Sequence, residues 1–177
     1  MSKVISIFGS SRPQEGSEEY ALAFDLGREL ARAGYKICNG GYGGIMTASA
    51  KGAKESGGST IGVTSEFYKT SANPWIDKEI KLPTPMERLF MLVELGDAYV
   101  ILRGGTGTLL ELACVWEFIN KKVIAEKSVI VIGDFWNAVV KTVQQQLLAE
   151  GESSGSNVIL RADSTQDCVR MLRERLR

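Results

Sequence analysis

The stretch Ala98-Tyr99-Val100-Ile101-Leu102-Arg103-Gly104-Gly105-Thr106-Gly107-Thr108-Leu109-Leu110-Glu111 decides how the chain is read. Its first five residues are apolar without interruption, as in a central strand buried on both faces of a parallel sheet. A glycine loop over residues 104–108 follows, and a helix is expected from about Thr108 to Asn120. Glycines let a backbone approach an anion closely, and the free N–H groups and dipole of the following helix favour negative charge. The unit is therefore built to hold a phosphate-bearing ligand at the start of a helix.

Outward from this unit, short β-branched runs alternate with helix-length amphipathic stretches, the pattern of repeated βαβ units. The fold class is α/β: a three-layer, Rossmann-like arrangement with a central parallel sheet flanked by helices. Strands are expected at Val4 to Phe8, Tyr35 to Cys38, Thr60 to Thr64, Ala98 to Leu102, Ser128 to Ile132 and Val158 to Leu160. Ser17 caps a first helix with Glu18 and Glu19 in its opening turn, and Gly34 stops it. A helix of small residues, Ile45 to Ser56, is suited to close approach. Thr84-Pro85-Met86-Glu87 opens another helix with a capping threonine, proline at the first position and glutamate at the third. Helices are also expected over Trp136 to Glu150 and Ser164 to Leu176, with Gly151 to Ser156 as a loop. Residues 65–83 are the least regular, with only Ile80 to Leu82 suggesting a strand, and form a rim or lid.

The 177 residues suit one domain spanning 1–177, with 44% hydrophobic and 24% charged residues, an ordinary globular composition. Lys+Arg and Asp+Glu balance at 21 each. Nothing in that balance gives the basic footprint of nucleic-acid binding, and it offers little electrostatic resistance to self-association. There is no histidine, which excludes Ser-His-Asp and Cys-His catalysis. The three cysteines, Cys38, Cys114 and Cys168, lie in apolar runs and read as core thiols of a reducing compartment; without clustered ligands no metal site is expected. The N-terminus enters a strand at once, without a signal-peptide core, and no apolar run approaches membrane-spanning length, so a cytoplasmic location is expected.

Three glycine- or serine-rich turns follow strands: Gly9-Ser10-Ser11-Arg12, Gly40-Gly41-Tyr42-Gly43-Gly44 and Gly104 to Thr108. In a parallel sheet all three emerge at the carboxyl edge, where open α/β folds bind ligands. None is a P-loop and none keeps the dinucleotide Gly-x-Gly-x-x-Gly spacing, which disfavours triphosphate hydrolysis and redox cofactors. Glu111, one turn into its helix, and Arg88, on the preceding one, can face the same pocket. An acid beside a helix N-terminus should stay ionised. Thr108-Leu109-Leu110-Glu111 is equally a capping box in which the carboxylate binds backbone, and from local spacing Arg88 suits a solvated helix face better than a pocket. Trp116, Phe118, Phe135 and Trp136 read as core or interface, and Trp75 as the tryptophan better placed to touch ligand.

From Asp97 to Glu111 the sequence resembles the Pro-Gly-Gly-x-Gly-Thr-x-x-Glu signature of the LOG family, Rossmann-like proteins often mislabelled lysine decarboxylases. Gly9-Ser10-Ser11 resembles that family's first loop, Gly40-Gly41-Tyr42-Gly43-Gly44-Ile45-Met46 its second, and Arg88 stands at its catalytic arginine. The resemblance implies a nucleoside 5′-monophosphate phosphoribohydrolase acting on AMP or N6-substituted AMP, without metal or organic cofactor. Glu111 and Arg88 would be catalytic. Gly9, Ser10, Ser11, Gly41, Gly43, Gly44, Arg103, Gly104, Gly105, Thr106, Gly107 and Thr108 would bind phosphate or substrate. It implies a homodimer with the signature helix near the interface, to which Leu112, Val115, Trp116 and Ile119 would add apolar surface. A nucleotide or molybdenum-cofactor carrier of the same fold is the alternative. No pyridoxal-phosphate lysine motif is present to support decarboxylation. Arg103 replaces the signature's proline, Leu110 its first glutamate, Leu89 the lysine after the arginine and Met86 the histidine before it.

Overall fold

The computed structural model describes residues 2–176. Seven strands form one sheet: β1 (Val4–Phe8), β2 (Lys36–Asn39), β3 (Thr60–Ser65), β4 (Lys78–Leu82), β5 (Ala98–Ile101), β6 (Val129–Ile132) and β7 (Ile159–Ala162). Their order is β4-β3-β2-β1-β5-β6-β7, and every pairing is parallel. The chain builds outward from β1 on one side, then returns to lay β5 against β1's other edge. The carboxyl ends of β1 and β5 meet at this reversal, with Phe8 opposite Ile101. Ligands of open α/β sheets bind at such a switch point.

The pleat sends alternate strand residues into two cores. Ile5, Ile7, Ala98 and Val100 pack under α1 (Glu18–Arg32), α2 (Ile45–Glu55) and α7 (Thr165–Arg175). Phe8, Tyr99 and Ile101 pack under α3 (Pro85–Leu95), α4 (Thr106–Asn120) and α5 (Asn137–Ala149). The expected three-layer, Rossmann-like architecture is observed. The loop expected over Gly151 to Ser156 instead contains a short helix, α6 (Ser153–Ser156), and Trp116 Nε1 donates to the Gly155 carbonyl at 2.8 Å. The irregular 65–83 segment contains a 3-10 turn, Glu66–Tyr68, and a five-residue β4, longer than the three residues expected.

Leu112, Val115, Trp116 and Ile119, expected to supply interface surface, are all buried in the chain's own core. Spaced at i, i+3, i+4 and i+7, they are the stripe by which α4 seats on the sheet. The large apolar residues that α4 exposes are Leu109 and Leu110. Cys38 and Cys168 are buried, and burial pushes each thiol up to about 12; Cys114 is half-buried.

What the small residues of α2 approach is α1. A Cβ at Gly52 would fall inside the Phe24 carbonyl, and one at Gly27 inside the Ser49 carbonyl. The helix backbones thus lie closer than any side chain permits. Gly52→Ala gains up to about 1 kcal/mol of helix propensity, but it forces the pair apart at a cost of about 1–3 kcal/mol. A net fall in denaturant midpoint is therefore expected; a rise would show that the two helices separate without loss.

Candidate active site

Each wall of the switch-point crevice is fixed by ordinary secondary-structure chemistry. On one wall, α3 is clamped at both ends. Thr84 and Glu87 form the expected capping box, and near the helix's other end the Leu92 and Val93 carbonyls accept hydrogen bonds from Ser6 Oγ (2.8 Å) and Tyr99 Oη (2.6 Å). This aims Arg88 back across the sheet edge. Its Nε donates to the Val63 carbonyl at 2.8 Å and its Nη2 to the Gly40 carbonyl at 3.2 Å, while the guanidinium lies over the Tyr42 ring, 5.4 Å from its centroid. Gly40 has no side chain where the guanidinium packs, for a Cβ there would overlap Nη2. Among the described residues no carboxylate pairs with Arg88, so its charge is held by neutral backbone and stays available to a ligand.

The opposite wall is the first turn of α4. This helix begins two residues earlier than expected, with Gly105 as its N-cap and no side-chain capping bond. Thr108 is already inside the helix and buried, so the anticipated Thr108–Glu111 capping box does not form. Glu111 instead points into the crevice, and among the described residues no donor hydrogen-bonds its carboxyl. It is not the permanently ionised acid expected from the helix dipole. Burial pushes it from 4.5 up to about 7, against a smaller downward pull from Arg88.

Between the walls lies a cleft of about 560 Å³, within the usual range for small-molecule sites. Gly9, Ser10, Ser11, Arg12, Gly105, Thr106, Gly107 and Thr108 line it together with Arg88 and Glu111. A Cβ at Gly105 or Gly107 would meet nothing, so the space over these backbone groups is open. The three loops do converge: Ser10 N–H donates to the Arg103 carbonyl at 3.1 Å, and Ile45 N–H donates to that of Ser10 at 2.9 Å.

Gly41, Gly43, Gly44, Gly104 and Arg103 do not line this cleft. The first three scaffold it: buried Asn39 donates through Nδ2 to the Met46 carbonyl (2.9 Å) and accepts from Gly41 N–H through Oδ1 (2.8 Å), folding the loop over. Arg103 turns away to Glu19, at 3.3 Å, and the Phe135 ring, 5.0 Å to its centroid. Trp75 is also absent from the cleft; its ring lies beneath the Lys51 ammonium.

Sequence reasoning missed Arg12, Tyr42, Met46, Tyr68 and Thr70 as lining residues. Tyr42 hydroxyl donates to the Ser65 carbonyl and accepts from Ser65 N–H, and its ring meets Tyr68 edge-on at 5.6 Å, which makes an aromatic rim. The sign was an aromatic inside a glycine loop and another in the irregular segment.

A family model described as the SLOG cluster4 family matches residues 2–169. The chain belongs to the SLOG cluster4 family. It is 34% identical over 128 residues to an uncharacterized protein of Archaeoglobus fulgidus, covering 72% of this chain and 82% of the relative. It is 31% identical over 110 residues to the cytokinin riboside 5′-monophosphate phosphoribohydrolase of Rhodococcoides fascians, covering 60% of this chain and 56% of that protein. The match thus spans little more than half of that enzyme's length. It supports the LOG resemblance read from the sequence. The molybdenum cofactor carrier protein of Chlamydomonas reinhardtii shares the fold, with a TM-score of 0.80 at 22% identity over 99% of each chain. Among the described residues no helix is long and apolar enough to cross a membrane.

A carboxyl raised in the native state penalises folding once it must ionise. The penalty is absent below the unfolded value of 4.5, grows as pH rises and is complete above about 7. Glu111→Gln removes it. The variant is expected to match the parent in thermal stability near pH 4 and to exceed it at pH 8, by no more than about 3 kcal/mol. Equal stabilities at both pH values would show that the carboxyl is solvated.

Proposed function

We propose that the protein is a nucleoside 5′-monophosphate phosphoribohydrolase that releases free base and ribose 5-phosphate from AMP or N6-substituted AMP. The observation that carries this reading is Glu111, an acid without a hydrogen-bond partner among the described residues, facing the cleft between the α4 amides and a backbone-anchored arginine. The amides over 105–108, with Ser10 and Ser11, bind the 5′-phosphate. Arg88 orients the ligand, and the Tyr42–Tyr68 rim receives the base.

The chemistry follows from charge. As the bond between C1′ and the base nitrogen lengthens, its electron pair leaves with the base, and the ribose becomes oxocarbenium-like. The Glu111 carboxylate stabilises that cation and takes a proton from the water that adds to C1′, while the departing base gains a proton from solvent. Because burial keeps bulk water from screening the carboxylate, its attraction to the developing cation is strengthened. No metal or organic cofactor enters this scheme.

Base released from AMP and N6-substituted AMP, followed by chromatography, tests the reading. kcat/KM is expected to rise with pH through about 7, the free protein's Glu111 transition, and then level off. Glu111→Gln should lower kcat by at least about 100-fold, and Arg88→Ala should raise KM and lower kcat. A rate that falls through pH 7 would make Glu111 a general acid instead. Binding of an intact nucleotide without release would favour the carrier alternative.

We also infer a homodimer. Leu109 is exposed beside a largely apolar groove lined by Ala113, Val139, Val143 and Leu147, of a kind a second copy covers. Leu109→Glu should convert the dimer to monomer in sedimentation; a wild-type monomer at micromolar concentration would contradict the assignment.

A further inference from the structure

Arg103 stands where the LOG signature has proline and takes no part in the cleft, yet its position is specific. A second cavity of about 440 Å³ lies beside the cleft and shares Ser10 and Arg12 with it, and Gly104 continues its floor from Gly105. Arg103 and Arg12 line this cavity, with Phe135 and Glu19.

Two features suit it to an anion. Arg103 lies 5.0 Å from the Phe135 centroid, and the Phe135 ring meets Trp136 edge-on at 5.0 Å. Trp136 is buried and donates through Nε1 to the Leu102 carbonyl at 2.9 Å, so the aromatic shelf beneath the guanidinium is fixed to the end of β5. Among the described residues the one acid lining the cavity, Glu19, engages Arg103 through one nitrogen, Nη1, at 3.3 Å. The pair is solvent-exposed and weak, so it orients the guanidinium without holding it against a stronger partner. Counting Arg12 and Arg103 against Glu19, the cavity keeps a positive balance. A guanidinium presents its donors as a planar fork matched to phosphate.

We propose that this cavity is a second anion subsite, so that the protein binds nucleotides carrying a further phosphate beyond the 5′-phosphate, the nucleoside diphosphate class. The inference rests on the proposed placement of the 5′-phosphate over residues 105–108. From there the next phosphate crosses Ser10 and reaches Arg12 and Arg103. The ligand then spans both cavities, with the base at the Tyr42–Tyr68 rim and the second phosphate on the Arg103–Phe135 shelf.

Isothermal titration of the full chain carrying Glu111→Gln, which blocks turnover, with AMP and with ADP tests this. ADP is expected to bind at least about tenfold more tightly than AMP at low salt. Adding Arg103→Ala should bring the ratio of the two dissociation constants close to one, while Arg103→Lys should keep part of the difference. The same titrations at higher salt should narrow it. AMP binding with ADP no tighter, or an ADP preference that survives Arg103→Ala, would overturn the second subsite and leave the monophosphate site standing. Binding of neither nucleotide would overturn both.

Discussion

Everything at the candidate site depends on the parallel pairing of β1 with β5, Ile5 opposite Ala98 through to Phe8 opposite Ile101. These strands are distant in sequence, and each is followed by a turn into a helix. Because β5 is added to the edge of β1 opposite β2, the helices that leave them lie on opposite faces of the sheet, and a crevice opens between their starts. At this pair the strand order also reverses. The Ser10 N–H bond to the Arg103 carbonyl extends the pairing past the sheet and joins the two loops.

Within that crevice the two charged groups are held differently. Arg88 is fastened by carbonyls of β3 and the β2–α2 loop, so its position is set while its charge is left uncompensated. Among the described residues nothing hydrogen-bonds the Glu111 carboxyl, which is placed by its helix, and burial disfavours its charged form. A direct ion pair between them would have neutralised both. Keeping them apart leaves a cation to attract an anionic ligand and a carboxylate whose ionisation falls near neutral pH. Ionising the carboxyl at that position costs the folded state free energy.

The sheet was readable because buried parallel strands are short continuous apolar runs, and nearly every helix carried its own boundary chemistry, such as Ser17 or the Thr84–Glu87 box. Glu111 and Arg88 were readable as candidates, but their state was not. A Thr-x-x-Glu spacing is common to a capping box and a pocket acid; Gly105 became the N-cap because helical geometry continued two residues further back into the loop. Burial raises the Glu111 carboxyl, and burial depends on neighbours distant in sequence. Tyr68 reaches the cleft, and Trp75 does not, because of how the 65–83 segment folds over the 40–44 loop. Asn73, which donates to the Gly41 and Tyr42 carbonyls, ties the two together, and local sequence carries no sign of that. Arg103 was ambiguous for the same reason, since Phe135 and Glu19 reach it from separate elements.

In the proposed reaction the α4 amides hold a phosphate, and Glu111 faces the anomeric carbon of the sugar attached to it. A crystal structure of the protein with ribose 5-phosphate tests it most directly. Phosphate oxygens are expected within hydrogen-bond distance of the amides over residues 105–108, with C1 turned toward the Glu111 carboxyl and Arg88 still fastened to Val63 and Gly40. A phosphate bound elsewhere, or a C1 directed away from Glu111, would contradict it.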